Sequence, residues 1–455
     1  MENQAIAEFR GGAPTASARL RIEGPPETLP SLLPVTDLAV AAVAAAGLAA
    51  ADLLAARGGG VGECVVDRRA VAVAFTSERH LRLDGAEVGG WARLSGFFRT
   101  RDGWVRTHAN YPHHEERLLA ALGLPSGSDR AAVAAHLARR NAADVEDTVT
   151  AAGGLAVAVR SPDAWAASLA GRAASTGPVV DVEPTPVGAP AAAGPGSTPV
   201  ADGGAPAAGV RVLDLTRVIA GPVATRTLAY LGADVLRVDP PGLPELIPQH
   251  LDMGLGKRST LLDLRSPADR HTFDELLAGA DVVVTGYRSD AVDALGLDPA
   301  RLRAARPELV VAGLTAWGAS GPWRTRRGFD SLVQAATGVA ALTADAEGAP
   351  GVLPAQALDH ATGYLLAAAI LRALARPATG ATIRASLART AAWLLNAPRP
   401  QRTGGEAERS DAWLAELPSP YGVVRHAVAP FRLDGRPGDW TTGPVTWGSS
   451  EPVWL

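Results

Sequence analysis

The chain has 455 residues, 47% hydrophobic and 20% charged, enough to fill two or three packed cores. Lysine and arginine number 43 against 47 acidic residues, a net charge of -4, which excludes a general electrostatic attraction to nucleic acid or to an anionic membrane. The single cysteine, Cys64, excludes an intramolecular disulfide, suits a reducing cytoplasm and reads as a small buried hydrophobe.

The opening residues 1–12 carry two acidic side chains and no apolar segment, so they do not read as a signal peptide. Asp37 then stands before the longest apolar stretch, Leu38–Ala56, which is mostly alanine and broken by Gly47 and Asp52. It predicts a buried helix rather than a membrane span. A glycine-rich turn over 58–62 and a strand over Glu63–Asp67 follow; the turn lacks the Gly-Lys-Ser/Thr ending of a phosphate loop. His108, His113 and His114 read as a solvated loop and helix start. No cysteine joins them, and Glu115 and Glu116 are sequence neighbours rather than one helical turn away, so no metal site is expected.

Residues 174–208 are rich in proline, glycine and alanine and too poor in large side chains to offset the entropy of ordering. They predict an extended, mobile tether between an N-terminal part, 1–173, and a large domain, 209–396. A loop-rich tail, 397–455, follows, with Gln401 to Glu408 exposed.

The large domain opens with an apolar strand, Val210–Leu215. Ala220-Gly221-Pro222 breaks it; Ala224, Leu228 and Leu231 then recur at helical spacing until Gly232, and Ala233–Val238 supplies the next strand. Such a βαβ unit leaves helix amides beside a strand end, where an anionic cofactor can sit. Further strands, Asp281–Thr285, Leu309–Leu314 and Thr382–Leu387, alternate with helices. The pattern predicts an α/β fold: a doubly wound, mostly parallel sheet, with a smaller α+β domain supplied by the N-terminal part.

Asp359, the helix Gly363–Ala375, a turn ending at Gly380 and the strand after it repeat the order that begins at Asp37. Chance remains an alternative, since alanine-rich helices look alike. At a helix N-terminus the free amides and the macrodipole favour an ionised Asp359, and the place equally suits a simple N-cap. His360 is expected on the first-turn surface.

The wording DLTRVIAGP followed by LGADVLRVDPPG resembles the family III CoA-transferases, the CaiB/BaiF group. Lys257-Arg258-Ser259 leading into Leu261–Arg265, the run ADVVVTGYRSDAVDALGLD, the segment ending Gly328-Phe329-Asp330, and Asp359 with Gly363 keep the family's order. In the N-terminal part, ARLSGFFRTRDGWVRTHANYPHH resembles the family's small domain, placed here before the large domain instead of after it. That departure bears on where the small domain sits and on the family's interlocked dimer.

The resemblance implies transfer of CoA between an acyl-CoA and a carboxylic acid, with Asp359 as nucleophile, an aspartyl-CoA intermediate and no metal. It implies CoA contacts at Val218, Ile219, Leu262, Arg265, Gly286 and Tyr287. Each has a plainer reading: Arg265 as an exposed helix-start residue, the three aliphatic residues as core, and Tyr287 as cover for the sheet edge. The family's racemases carry histidine where this chain has Phe329, which cannot move a proton, so racemisation is disfavoured; His360 keeps it open. A non-catalytic CoA-binding relative is the third reading. Asp37 is expected to be silent, the partners to be small acyl-CoA and carboxylate molecules, and a homodimer stays open.

Overall fold

The structure is a computed structural model describing residues 18–60, 62–90, 92–186, 198–201, 203–376, 379–400, 410–434, 436 and 438–455. The opening segment, the middle of the tether and the stretch expected to be exposed at Gln401 to Glu408 lie outside the described residues.

The N-terminal part begins with β1 (Arg19–Glu23), α1 (Val35–Ala56), β2 (Glu63–Asp67) and α2 (Arg68–Phe75), with β1 and β2 parallel. Every residue of α1 from Leu38 to Ala51 is buried, which explains a composition apolar on all sides. By length and composition α1 is able to cross a membrane, yet it packs inside the protein against another long alanine-rich helix, Ala357–Leu374. Next, strands Gly96–Arg99, Trp104–Thr107 and Ala156–Ala158 form a small antiparallel sheet. Its own core includes Leu118, Val133 and Val149, and it carries α3 (Pro112–Ala121). β3 (Val180–Pro186) closes this part.

The large domain contributes β4 (Arg211–Leu215), α4 (Ala220–Tyr230), β5 (Asp234–Asp239), β6 (Arg258–Leu261), β7 (Val282–Thr285) and β8 (Val310–Thr315). It ends with α5 (Ala357–Leu374), β9 (Thr379–Ser386) and α6 (Leu387–Asn396). The seven-stranded sheet runs β6-β5-β4-β7-β8-β9-β3, parallel except for β3. Alternate strand residues feed two cores: Val212, Val282 and Val284 join the core on the side of α4, which also takes in α1 and α5, while Leu213, Leu236 and Val283 share the other with Phe273 and Leu276. Both faces are covered, as a doubly wound sheet requires. Strand order reverses between β4 and β7, and a crevice for ligand opens at that switch point.

Two expectations are corrected. The tether is not free along its described length. Val180–Pro186 is an edge strand on β9, where its prolines are tolerated and Arg384 pairs across the ladder with Asp181 and Glu183 at 3.1 Å each. Farther on, buried Arg57 donates to the carbonyls of Thr198, Pro206 and Ala208 at 2.8 Å each. The tail is also more ordered than its loop-rich composition predicts. Leu414–Ser419 and Gly422–Ala427 form a hairpin joined to Arg82–Leu83, and β10 (Phe431–Leu433) pairs antiparallel with β2.

These pairings give the fold its logic. β3 leaves the N-terminal part to edge the sheet of the large domain, and β10 leaves the large domain's tail to edge β2. The two halves of one chain exchange strands. The order β1-α1-β2-α2 is matched by β8-α5-β9-α6, and the residues preceding the two long helices, Pro34 (φ -77, ψ 61) and Gln356 (φ -74, ψ 61), share one backbone conformation.

Candidate active site

Beyond the ends of β4 and β7 lies a cavity of about 870 Å³, in the size range of small-molecule sites. Val218, Ile219, Gly286, Tyr287 and Asp359 all line it, so the structure brings five predicted positions together. Leu262 and Arg265 lie outside it. Leu262 is 6% exposed and packs in the sheet's second core, and Arg265 is ion-paired to Asp263 at 2.9 Å with a side chain 79% exposed. For both, the plainer reading describes the observed position.

Val218 holds φ at +71°, a left-handed backbone that β-branched residues avoid at a cost of ~1–3 kcal/mol. The surroundings impose it. Glu245 accepts from the Val218 amide at 3.4 Å, from Arg237 at 2.9 Å and from the Tyr111 hydroxyl at 2.5 Å. Burial pushes against ionisation of Glu245, but Arg237 and Arg217 hold its carboxyl below the usual range. Behind the turn, buried Lys257 donates to Asp214 and the Pro222 carbonyl at 3.0 Å and to Thr225 at 2.6 Å, tying β4 to the start of α4. Burial pulls the Lys257 ammonium down to about 8 even with Asp214 beside it.

Gly363 explains the spacing of the aspartate motif. A Cβ at that position would lie 2.4 Å from the Ala220 carbonyl oxygen and 2.8 Å from Val223 Cβ. Only glycine lets α5 approach the first turn of α4, which sets Asp359 beside Val218 and Ile219.

Asp359 is not the cap of its helix. The carboxylate of Asp330 accepts from the amides of Leu358 and Asp359 at 2.9 and 3.0 Å, leaving the Asp359 side chain free to face the cavity. The expectation of an acid favoured in its ionised form is corrected too. Burial, with the Asp330 charge adding to it, raises Asp359 well above the usual carboxylate range. Asp330, likewise buried, is pushed up to about 6.

The histidines depart furthest from expectation. His108 and His114 are 5% and 4% exposed rather than solvated. His108 stacks on Phe329 with ring centroids 3.8 Å apart, and His114 meets the same ring edge-on at 5.7 Å. His113 and His114 line the cavity, so the N-terminal part reaches Asp359 within one chain. Burial, with His113 and nearby arginines adding, pulls His114 down to about 3. His360, expected on the surface, is fully buried against Phe75 at 5.1 Å, and neither of its ring nitrogens has a hydrogen-bond partner. Among the described residues no group of three or more His, Cys, Asp or Glu is placed to hold a metal ion.

Sequence reasoning missed Asp330, Tyr111, Glu245 and the cavity-facing side of α3. The available signal was Asp330 itself, an acid in the segment ending Gly328-Phe329-Asp330 with an apolar run after it.

The profile of CoA-transferase family III matches residues 6–193 and 207–427. The chain belongs to this family. It is 36% identical over 189 residues to the probable fatty acyl-CoA transferase Rv3272 of Mycobacterium tuberculosis, covering 39% of this chain and 48% of that protein. With the succinate--glutarate CoA-transferase of Agrobacterium fabrum it shares 32% identity over 187 residues, 37% of this chain and 47% of the relative. A crystal structure of Rv3272 from M. tuberculosis aligns at 36% identity over 42% of this chain and 55% of that one, with a TM-score of 0.40. The chain spans about half the length of the curated relatives it matches. The two matched segments leave only residues 194–206 between them unmatched.

Proposed function

We propose that the protein transfers CoA between an acyl-CoA thioester and a carboxylic acid, with Asp359 as the nucleophile. The observation that carries this reading is the carboxyl of Asp359, relieved of capping by Asp330 and facing the cavity at the sheet's switch point. Val218, Ile219, Gly286 and Tyr287 would hold CoA there, while Leu262 and Arg265 would act only on parts of CoA reaching beyond the cavity.

The chemistry is a covalent relay. The Asp359 carboxylate adds to the thioester carbonyl, the carbon–sulfur bond breaks, and CoA thiolate leaves behind an acyl-aspartyl anhydride. The thiolate attacks the aspartyl carbonyl and expels the acid, leaving aspartyl-CoA. An acceptor carboxylate then attacks that thioester, and the same two steps in reverse release the new acyl-CoA. Anhydride and thioester are close in reactivity, so no ATP is consumed. Asp359 must lose its proton before the first attack, which its raised pKa opposes, so turnover should climb with pH.

Tyr111, His113, His114 and Arg117 come from the N-terminal part and line the same cavity as Asp359, which favours a site completed in cis. The domain roles follow: residues 18–173 supply the small-domain wall, and 209–396 the CoA-binding sheet and nucleophile. A second reading, proton exchange at the α-carbon of an acyl-CoA, draws on His114, a neutral imidazole in the cavity beside Phe329. Steady-state assays of Asp359→Asn with equilibrium CoA binding test the proposal. Loss of transfer with CoA binding kept supports it; unchanged transfer refutes it; deuterium from solvent at the α-carbon without transfer favours the second reading.

A further inference from the structure

The family match ends at residue 427, and a segment beyond it, 440–455, is drawn back across the large domain. It is fastened there at several points. The Trp440 indole donates to the Arg226 carbonyl at 2.9 Å and the Trp454 indole to the Leu276 carbonyl at 3.0 Å, while the Ser450 amide donates to the Ser259 carbonyl of β6 at 2.7 Å. Gly448, at φ +74° and with no room for a Cβ beside Leu261 Cγ, lets the segment cross the carboxyl end of β6. Trp447 differs from the other two tryptophans in what it meets. Its indole donates to a carboxylate, Asp239 Oδ2, at 3.0 Å, where β5 ends.

Asp239 belongs to a buried chain of charges that ends at the cavity. Arg237, 2% exposed, pairs with Asp239 at 2.7 Å and with Glu245 at 2.9 Å. Glu245 in turn holds the Val218 amide and the Tyr111 hydroxyl, so both walls of the cavity depend on how Arg237 is shared between two acids. The Trp447 N–H supplies one of the donors that Asp239 needs in the interior. Without it Arg237 is drawn toward Asp239 and away from Glu245, the grip on Val218 slackens, and the left-handed turn at φ +71° can relax. We propose that Trp447 is a positioning residue for CoA, acting through Asp239, Arg237 and Glu245 on the turn at Val218. This deepens the reading of Val218 and Ile219 as CoA contacts and rests on it.

The test compares Trp447→Phe, which keeps a ring at this half-exposed site and removes the N–H, with Trp454→Phe, which unfastens the same segment elsewhere. In the ligand-free full chain, hydrogen–deuterium exchange of the peptide spanning 216–220 should quicken by about 3- to 10-fold in Trp447→Phe and stay at the wild-type rate in Trp454→Phe. Calorimetry should show CoA affinity falling by a similar factor in Trp447→Phe alone. In transfer assays the loss should fall on KM, with kcat kept within about twofold. Glu245→Gln cuts the relay, so adding Trp447→Phe to it should change CoA affinity no further, whereas a merely structural tryptophan would add its own loss. Equal effects of the two tryptophan variants, additivity with Glu245→Gln, or wild-type exchange at 216–220 in Trp447→Phe would each overturn the proposal. If the wild type binds no CoA, the reading of the cavity falls, and the exchange comparison still decides whether Trp447 holds the turn.

Discussion

α1 and α5 pack side by side and each carries an aspartate as its third residue, yet only Asp359 faces the cavity. The preceding residues share one backbone conformation, and each helix is followed by a strand and a second helix whose N-cap side chain, Asp67 or Ser386, accepts an amide. The surroundings differ. Four residues after Asp359 comes Gly363, which admits α4; four residues after Asp37 comes buried Ala41. Near the start of α5 the Asp330 carboxylate takes the helix amides, whereas near α1 the Thr36 hydroxyl takes the amides of Thr28 and Leu29. An aspartate at a helix start is therefore generic. The glycine beside it, the acid that relieves it and the strands that face it make it a candidate nucleophile.

The largest expected effect breaks the comparison outright. Asp359→Asn should lower transfer by about 10³-fold or more, while Asp37→Asn changes it less than about twofold, in the same steady-state assay. A comparable loss at Asp37 would mean that both halves take part in chemistry.

Packing sharpens the comparison next. Gly363→Ala forces a methyl group against the Ala220 carbonyl and should destabilise the protein by about 1–3 kcal/mol in urea unfolding. Ala41→Gly in α1 should cost only about 1 kcal/mol, the helix-propensity penalty.

The charge states separate the halves as a function of pH. Because burial raises Asp359 above its unfolded value, the native chain holds a proton that the unfolded chain releases. That stabilising contribution is complete below the unfolded pKa of about 3.9 and is lost as pH rises through the folded value. Asp359→Asn should therefore be more stable than the wild type by about 1–2 kcal/mol at pH 8, with the gap closing toward pH 4. Asp37 is also raised by burial but is only half-buried, so Asp37→Asn should show a smaller gain in the same thermal melts. The smallest effect concerns the exchanged strand: Arg384→Ala should cost less than about 1 kcal/mol, since both of its ion pairs are on the surface.

Much of the large domain was legible because its strands are continuous apolar runs separated by helical periods, which is the mark of a sheet covered on both faces. β3 was not. Its prolines and acids read as a tether, and it becomes a strand only by pairing with β9, about two hundred residues away in sequence, where Arg384 also meets its acids. The same limit applies at the site. Asp359 could be singled out from its own motif, but the role of Asp330 depends on a contact across twenty-nine positions and the burial of His108 on the face of Phe329. Local pattern reports a residue's own element; a partner brought by tertiary packing leaves no local trace.

The most direct measurement is peptide mass spectrometry with hydroxylamine trapping, made on the full chain after brief incubation with a panel of acyl-CoAs. A hydroxamate or CoA adduct is expected on the peptide containing Asp359 and none on the peptide containing Asp37. An adduct at Asp37, or no adduct on the Asp359 peptide while CoA is being transferred, would contradict that expectation.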